Sequence, residues 1–127
     1  MARPASTRPT EVELQILRIL WELGPSPVRE IHRRLEADKG TNYSTTVKML
    51  AVMLDKDLVK RDERAQPYVY RAGISRKNAG QRMLGELIEK VYEGSAMSLV
   101  LQALSSSQAT KKERDEVRRL LDEMEGR

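Results

Sequence analysis

Apolar side chains recur at helical spacing through most of the chain, starting soon after its first ten residues. Thr10 and Glu13 have the spacing of a capping box, and Gly24-Pro25 ends the pattern that follows them. Apolar positions three or four residues apart predict a largely buried first helix. They are Val12, Ile16, Ile19, Leu20 and Leu23, widened by Leu14, Leu17 and Trp21.

Two further helices are predicted next. Ser26 and Pro27 indicate a helix start, because serine caps N-termini and proline suits the first helical position. After a polar break at 38–42, Ser44 is the expected cap of a third helix that continues to about Asp57. We expect its core-facing residues to be Val47, Leu50, Ala51 and Leu54, followed by Leu58, and its outward residues to be Thr45, Thr46, Lys48 and Lys56.

The third helix is followed by an alternating pattern. Residues 58–62 and 68–71 flank a polar turn at 63–66, which predicts a two-stranded hairpin. Pro67 beside the turn predicts that the second strand lies at a sheet edge. Three helices and then a hairpin, all before residue 73, indicate a winged helix-turn-helix: a mainly α fold with a small β wing.

Only amphipathic helices are predicted after residue 74. Three helical segments follow, and the last begins at a second capping box formed by Thr110 and Glu113. Such helices bury little surface alone, so their apolar stripes imply a partner, most commonly a second copy of the chain. The predicted homodimer contacts are Met83, Leu84, Leu87, Ile88, Val91, Leu99, Val100, Leu104, Val117, Leu120 and Leu121.

Composition narrows the possible functions. The 127 residues carry a net charge of +4 and include no cysteine, which excludes disulfides and thiolate metal sites. His32 is the only histidine and we interpret it as a surface residue, so no metal site is predicted. The sequence has no glycine-rich phosphate loop or nucleophile elbow, and we expect neither a cofactor nor enzymatic activity. Without a secretion signal or an apolar run near the roughly 20 residues that span a bilayer, a soluble, cytoplasmic protein is expected.

The basic residues suggest where nucleic acid would bind. Residues 1–72 hold 13 Lys and Arg against 10 Asp and Glu. In a helix-turn-helix, the start of the second helix of the motif reaches base edges in the major groove, and basic wing residues meet phosphates. We predict contacts with double-stranded operator DNA by Ser44, Thr45, Thr46 and Lys48, and by Lys60, Arg61 and Arg64 of the hairpin. Helix capping by Ser44 and a merely solvated hairpin are the alternatives.

The division of the chain follows from these elements. We expect a flexible arm at 1–9, a winged helix-turn-helix DNA-binding domain at 10–73 and a three-helix dimerisation domain at 74–127.

Several short motifs, in order, resemble the penicillinase and methicillin-resistance repressor family. They are Thr10-x-x-Glu13, Ile19-Leu20-Trp21-Glu22, Val28-Arg29-Glu30-Ile31, Tyr43-Ser44-Thr45-Thr46-Val47-Lys48-Met49-Leu50, Tyr68-Val69-Tyr70 and Gly94-Ser95-Ala96-Met97-Ser98-Leu99-Val100-Leu101. The resemblance implies a dimeric repressor on a palindromic operator, with a role in antibiotic resistance. It also implies release by cleavage of the C-terminal domain after a membrane sensor-protease detects a β-lactam. Matching the family's cleavage segment places the candidate bond at Gln102-Ala103.

The chain departs from the family at several positions. Asp57 replaces a common glycine, and because aspartate tolerates the left-handed conformation, we expect the turn to be kept. Met53 replaces a frequent arginine and Ala65-Gln66 replaces the Gly-Arg of the wing, so the operator preference is expected to differ. Gln102-Ala103 replaces Asn-Phe. The resemblance also extends to copper-responsive members of the family, which carry a copper-sensing tail that contains cysteine. This chain has no cysteine, which argues against a copper response.

Two other functions are compatible with the same architecture. One is a regulator that responds to a small molecule, which needs a pocket between tail and wing. The other is a winged-helix module that binds a protein and never touches DNA.

Overall fold

The computed structural model describes residues 9–106 and 109–126, without the side chains of 37–39. The predicted arm at 1–9 therefore lies outside the described residues, except for Pro9. The described residues form a mostly helical chain with one small antiparallel sheet, which confirms the predicted mainly α fold with a β wing. The elements are α1 (Glu11–Leu23), β1 (Ser26–Pro27), α2 (Val28–Lys39), α3 (Tyr43–Asp55), β2 (Val59–Asp62), β3 (Val69–Ala72), α4 (Arg76–Val91), α5 (Ala96–Ser105) and α6 (Lys111–Met124).

Helix α1 starts at the predicted capping box. The Thr10 hydroxyl accepts a hydrogen bond from the Glu13 backbone N–H, and the Glu13 carboxylate accepts one from the Thr10 N–H. The buried apolar face comprises Ile16, Leu17, Ile19 and Leu20. Leu23 was expected in the core but is exposed in the last turn of the helix.

The predicted start of the second helix is wrong. Ser26 and Pro27 form β1, where Ser26 pairs with Tyr70 and Pro27 with Val69 of β3. The Ser26 hydroxyl donates to the Gly24 carbonyl oxygen at 2.9 Å, and α2 begins at Val28 without a side-chain cap. The backbone of Ser26 is extended by strand pairing, so its hydroxyl does not cap the helix.

The wing also differs from the prediction in strand order. The order is β1-β3-β2, so β3 is the central strand and not an edge strand. Pro67 lies outside β3, two residues before its first residue, and so interrupts no backbone pairing within the strand. The hairpin itself is confirmed, with Arg61 opposite Tyr70 and Asp62 opposite Val69.

The core-facing side of α3 was only partly predicted. Leu50 is buried as expected, but Val47 and Ala51 are exposed, and Met53 takes their place in the core. Because apolar residues occur on both sides of this helix, the pattern alone does not identify which side faces inward. The core includes Ile16, Leu17, Leu20, Ile31, Leu35, Leu50, Met53, Leu58, Val59 and Tyr70.

A tight turn connects α3 to the wing. Asp57 has φ 62°, which confirms the expected left-handed conformation at this position. Beside the turn, directly after β3, the Gly73 N–H donates to the Leu58 carbonyl oxygen at 2.8 Å. A Cβ atom at Gly73 would lie 2.7 Å from the Asp57 carbonyl oxygen, so this close approach requires glycine.

The chain divides into two compact units, one ending at Met83 and the other starting at Leu84. Ile74 and Ala79 belong to the core of the first unit, and the Trp21 indole N–H donates to the Ile74 carbonyl oxygen at 2.9 Å. The first unit thus includes the first half of α4. In the second unit, none of the described residues is buried within a single chain.

Candidate nucleic-acid interface

Helix α3 presents three of the predicted DNA-contacting residues on its surface. Ser44, Thr45 and Lys48 are all exposed in its first two turns. The helix begins at Tyr43, and Asn42 occupies the cap position without a side-chain hydrogen bond. Ser44 is therefore not the cap that the sequence suggested, and lies within the first turn.

Thr46 was predicted to contact DNA, and the structure contradicts this. Its side chain is fully buried; its hydroxyl is hydrogen-bonded to His32 Nδ1 at 2.9 Å and donates to the Asn42 carbonyl oxygen at 3.4 Å. A hydroxyl enclosed in this way reaches no base edge. Its role is to attach the start of α3 to α2.

His32 is the other half of this attachment, and its assignment to the surface was wrong. Only 14% of the side chain is exposed, and Nε2 lies 3.4 Å from the Glu36 carboxylate. The ring also packs edge-on against Tyr43, the first residue of α3, with 5.3 Å between centroids. His32 therefore contacts α3 both at its first residue and at Thr46.

A buried ion pair holds the other end of α3. Lys56 Nζ lies 3.0 Å from both carboxylate oxygens of Glu13, which is 1% exposed. The prediction that Lys56 faces outward was wrong, because its side chain bridges to α1. The available signal was the position of Glu13 on the buried side of α1, one helical turn before Ile16 and Leu17.

The cations of the wing are exposed, but two of them have partners within the wing. Arg61 is ion-paired with Glu63, lies 5.0 Å from the Tyr68 ring centroid and is hydrogen-bonded to Tyr70. The hydrogen bonds to Tyr70 and Glu63 raise the pKa of Arg61. Lys60 is exposed on β2, beside Arg61.

Arg64 occupies the turn between the two wing strands. Its side chain is 93% exposed, although its guanidinium lies 3.3 Å from the Asp62 carboxylate. The Asp62 carboxylate accepts hydrogen bonds from Arg64. The bond from the backbone N–H is the larger cause and the bond from the side chain the second, and together they hold the pKa of Asp62 below its usual range. Arg64 is thus far more solvent-accessible than Arg61, whose side chain is 32% exposed.

A groove lies beside the start of α3 and the wing. Its volume is about 610 Å³ and three tyrosines contribute to its walls. The lining residues are Pro27, Val28, Arg29, Tyr43, Pro67, Tyr68 and Tyr70.

The predicted dimer residues lie on the helices around and after the unit boundary. Leu84, Leu87, Val91, Val100, Leu120 and Leu121 are exposed, and Met83, Ile88, Leu99, Leu104 and Val117 are half-buried. The candidate cleavage bond, Gln102-Ala103, lies inside α5, and both residues are exposed. The Tyr92 hydroxyl donates to the Gln102 side-chain oxygen at 2.7 Å.

The described parts of the chain contain neither a metal-binding cluster nor a membrane-spanning helix. No group of three or more His, Cys, Asp or Glu residues there could hold a metal ion. Within the same residues, every helix is too short or too polar to cross a bilayer.

A family model and two known proteins are similar to this chain, and all three are described as penicillinase repressors. The model of the penicillinase repressor family matches residues 9–123. A penicillinase repressor of Bacillus licheniformis is 20% identical over 118 residues, which cover 93% of this chain and 92% of that protein. A penicillinase repressor of Staphylococcus aureus is 22% identical over 112 residues, covering 88% and 89% of the two chains.

Proposed function

The chain belongs to the penicillinase repressor family, and from that membership we propose that it is a transcriptional repressor which binds palindromic operator DNA as a homodimer. One observation carries the proposal: the start of α3 exposes Ser44, Thr45 and Lys48 while both ends of the helix are fixed to the rest of the unit. A helix held in this way can enter the major groove without losing its orientation.

Each exposed group has a suitable partner on DNA. Lys48 can donate to the N7 and O6 acceptors of guanine, while the hydroxyls of Ser44 and Thr45 suit bases or phosphates at the helix N-terminus. In the wing, Lys60 and Arg64 are the proposed phosphate contacts. Arg61 joins them only if phosphate displaces the Glu63 carboxylate.

The second unit supports dimerisation. Its three helical segments expose large apolar side chains and bury none of the described residues in a single chain. Large exposed apolar side chains in this number favour an interaction surface, and two identical chains pair most often about a two-fold axis. A two-fold dimer matches the symmetry of a palindromic operator.

The Gln102-Ala103 bond, the candidate for release from DNA by proteolysis, lies in the second unit. We propose that a membrane sensor-protease responding to a β-lactam-type signal starts this release, in the cytoplasm. The bond lies within α5, so cleavage requires local opening of the helix before the backbone can enter a protease.

Salt-dependent binding tests the proposal. Several phosphate contacts make the affinity for operator DNA fall steeply with salt concentration. The logarithm of the binding constant should fall linearly with the logarithm of the salt concentration, with a slope of about −0.9 per phosphate contact. Lys48→Ala should weaken a specific site about 5- to 150-fold, whereas Arg64→Ala should weaken all sequences similarly and lower the salt slope by about 1. Lys111→Ala is the matched control, because this cation is 86% exposed on α6. Salt-independent binding, or equal effects of the three variants, would contradict the proposal.

The tyrosine-lined groove favours a second candidate, a repressor that also responds to a small molecule. Its volume is within the usual range of ligand sites, about 300–1,000 Å³. Aromatic carboxylates are suitable probes, because Arg29 lines the groove with the tyrosines. A rise in melting temperature that Tyr68→Ala abolishes would support this candidate, and the absence of any shift would remove it.

A further inference from the structure

The exposed side of α3 is more apolar than its position requires. Val47 is 42% exposed and Val52 is 45% exposed, and Ala51 is exposed between them. A single exposed apolar residue is ordinary, but here three of them surround Lys48 on a helix whose buried side is already filled by other residues.

Helix geometry groups these residues by side. Val47 and Ala51 are four residues apart, so their Cβ atoms are neighbours on one flank, about 6 Å from each other. Lys48 precedes Ala51 by three residues and lies beside that pair. Thr46, Leu50 and Met53 form the buried side of the helix, whereas Val47 and Ala51 remain exposed on the surface of the unit.

The charge around this flank favours a polyanion as its occupant over an apolar protein surface. From Tyr43 to Leu54 the helix carries Lys48 and no acidic residue, and Asp55 is the first carboxylate. A protein partner selected only for apolar contact would gain nothing from a central cation. The major groove offers both phosphate charge and, at one base, an apolar group.

That base is thymine. In the major groove it is the base that presents a methyl group, which apolar side chains contact, while guanine presents two acceptors to a lysine. Resting on the repressor function proposed above, we propose that Val47 and Ala51 read thymine methyl groups next to the base that Lys48 contacts. The preferred operator half-site then contains thymines beside a guanine.

The experiment starts from a site selected by the full chain out of a random duplex pool. Each thymine of that site is replaced in turn by deoxyuridine, which removes only the methyl group and keeps base pairing. At the thymines read by Val47 or Ala51 the affinity should fall about fourfold, the effect of exposing one methyl-sized group.

Variants assign the contact to a residue. Val47→Ala should lose affinity for the thymine site, and deoxyuridine at the thymine that Val47 reads should then cause no further loss. Ala51→Ser should respond in the same way at a neighbouring thymine. Leu23→Ala is the control, because Leu23 is 39% exposed on α1 and should leave every deoxyuridine effect unchanged.

The outcomes separate the two proposals. The thymine assignment is wrong if no deoxyuridine replacement weakens binding, or if Val47→Ala and deoxyuridine weaken binding additively at every position. The proposed repressor function survives that result as long as operator binding depends on salt. If the pool yields no enriched sequence and binding does not depend on salt, both proposals fail.

Discussion

The ion pair between Glu13 and Lys56 gives the sharpest test of how α3 is held. Lys56→Met keeps most of the side-chain length but removes the ammonium that lies 3.0 Å from both Glu13 oxygens. Glu13, only 1% exposed, would then keep the Thr10 N–H at 2.8 Å as its partner and lose its cation.

The expected loss of stability is large. Removing one partner of a buried pair costs about 3–5 kcal/mol, and we expect the lower end because 14% of the Lys56 side chain is exposed. For a urea dependence of about 1.5 kcal/mol/M, a loss of about 3 kcal/mol lowers the unfolding midpoint by about 2 M. Trp21 fluorescence reports this unfolding, because Trp21 is the only tryptophan and belongs to the first unit. All variants are compared at one protein concentration, since dimerisation couples to stability.

Two further variants make the measurement decisive. Combining Lys56→Met with Glu13→Gln removes the stranded charge, so the double variant should recover about 2 kcal/mol of the loss. Arg34→Met breaks the exposed pair with Glu22, whose side chains are 40% and 65% exposed, and should cost at most about 1 kcal/mol. A Lys56→Met protein no less stable than the Arg34→Met protein, or a double variant as unstable as Lys56→Met, would refute the reasoning.

Three other changes have expected outcomes. Replacing Leu87 and Ile88 with Asp should give monomers and a large loss of operator affinity, and an unchanged sedimentation coefficient would mean that the interface lies elsewhere. Asp57→Gly should raise the unfolding free energy by up to about 1 kcal/mol, because glycine adopts the left-handed conformation at φ 62° without strain; a lower urea midpoint would contradict this. Hydrogen bonds from Thr110, first from its backbone N–H and second from its hydroxyl, lower the pKa of Glu113. The capping box therefore stabilises α6 fully at pH values above the ordinary pKa of glutamate. This contribution disappears as the pH falls through the lowered pKa. Helicity measured by circular dichroism should therefore decrease on acidification, and less so in Thr110→Ala; equal titrations would disprove the link.

Local signals were enough to predict most elements of the fold. The capping boxes at Thr10 and Thr110 and the wing hairpin depend on neighbouring residues, and all three are found where the sequence placed them. The left-handed Asp57 was predictable from the resemblance, because aspartate replaces a glycine that is common there in the family. Strand β1 was not, because a two-residue strand at Ser26 exists only through its pairing with β3.

The candidate site was harder to predict, because polarity along α3 does not indicate which residues are buried. Apolar residues such as Val47 look like core residues in a sequence, whereas in the structure they lie on the exposed face beside Lys48. Conversely, Thr46 is polar but buried, since it bonds to His32 of another helix. Partners separated by 14 or 43 residues, as in these hydrogen bonds and in the Glu13–Lys56 pair, leave no periodic signal.

Methylation interference on the selected operator tests most directly whether two copies of α3 enter the major groove. We predict that methylation of guanine N7, which lies in that groove, blocks binding at two clusters on one face of the duplex. The clusters should be separated by about 10 base pairs or a whole multiple of it, and Lys48→Ala should abolish the interference at its guanine in each. Interference at a single cluster, or only from adenine N3 in the minor groove, would contradict the account.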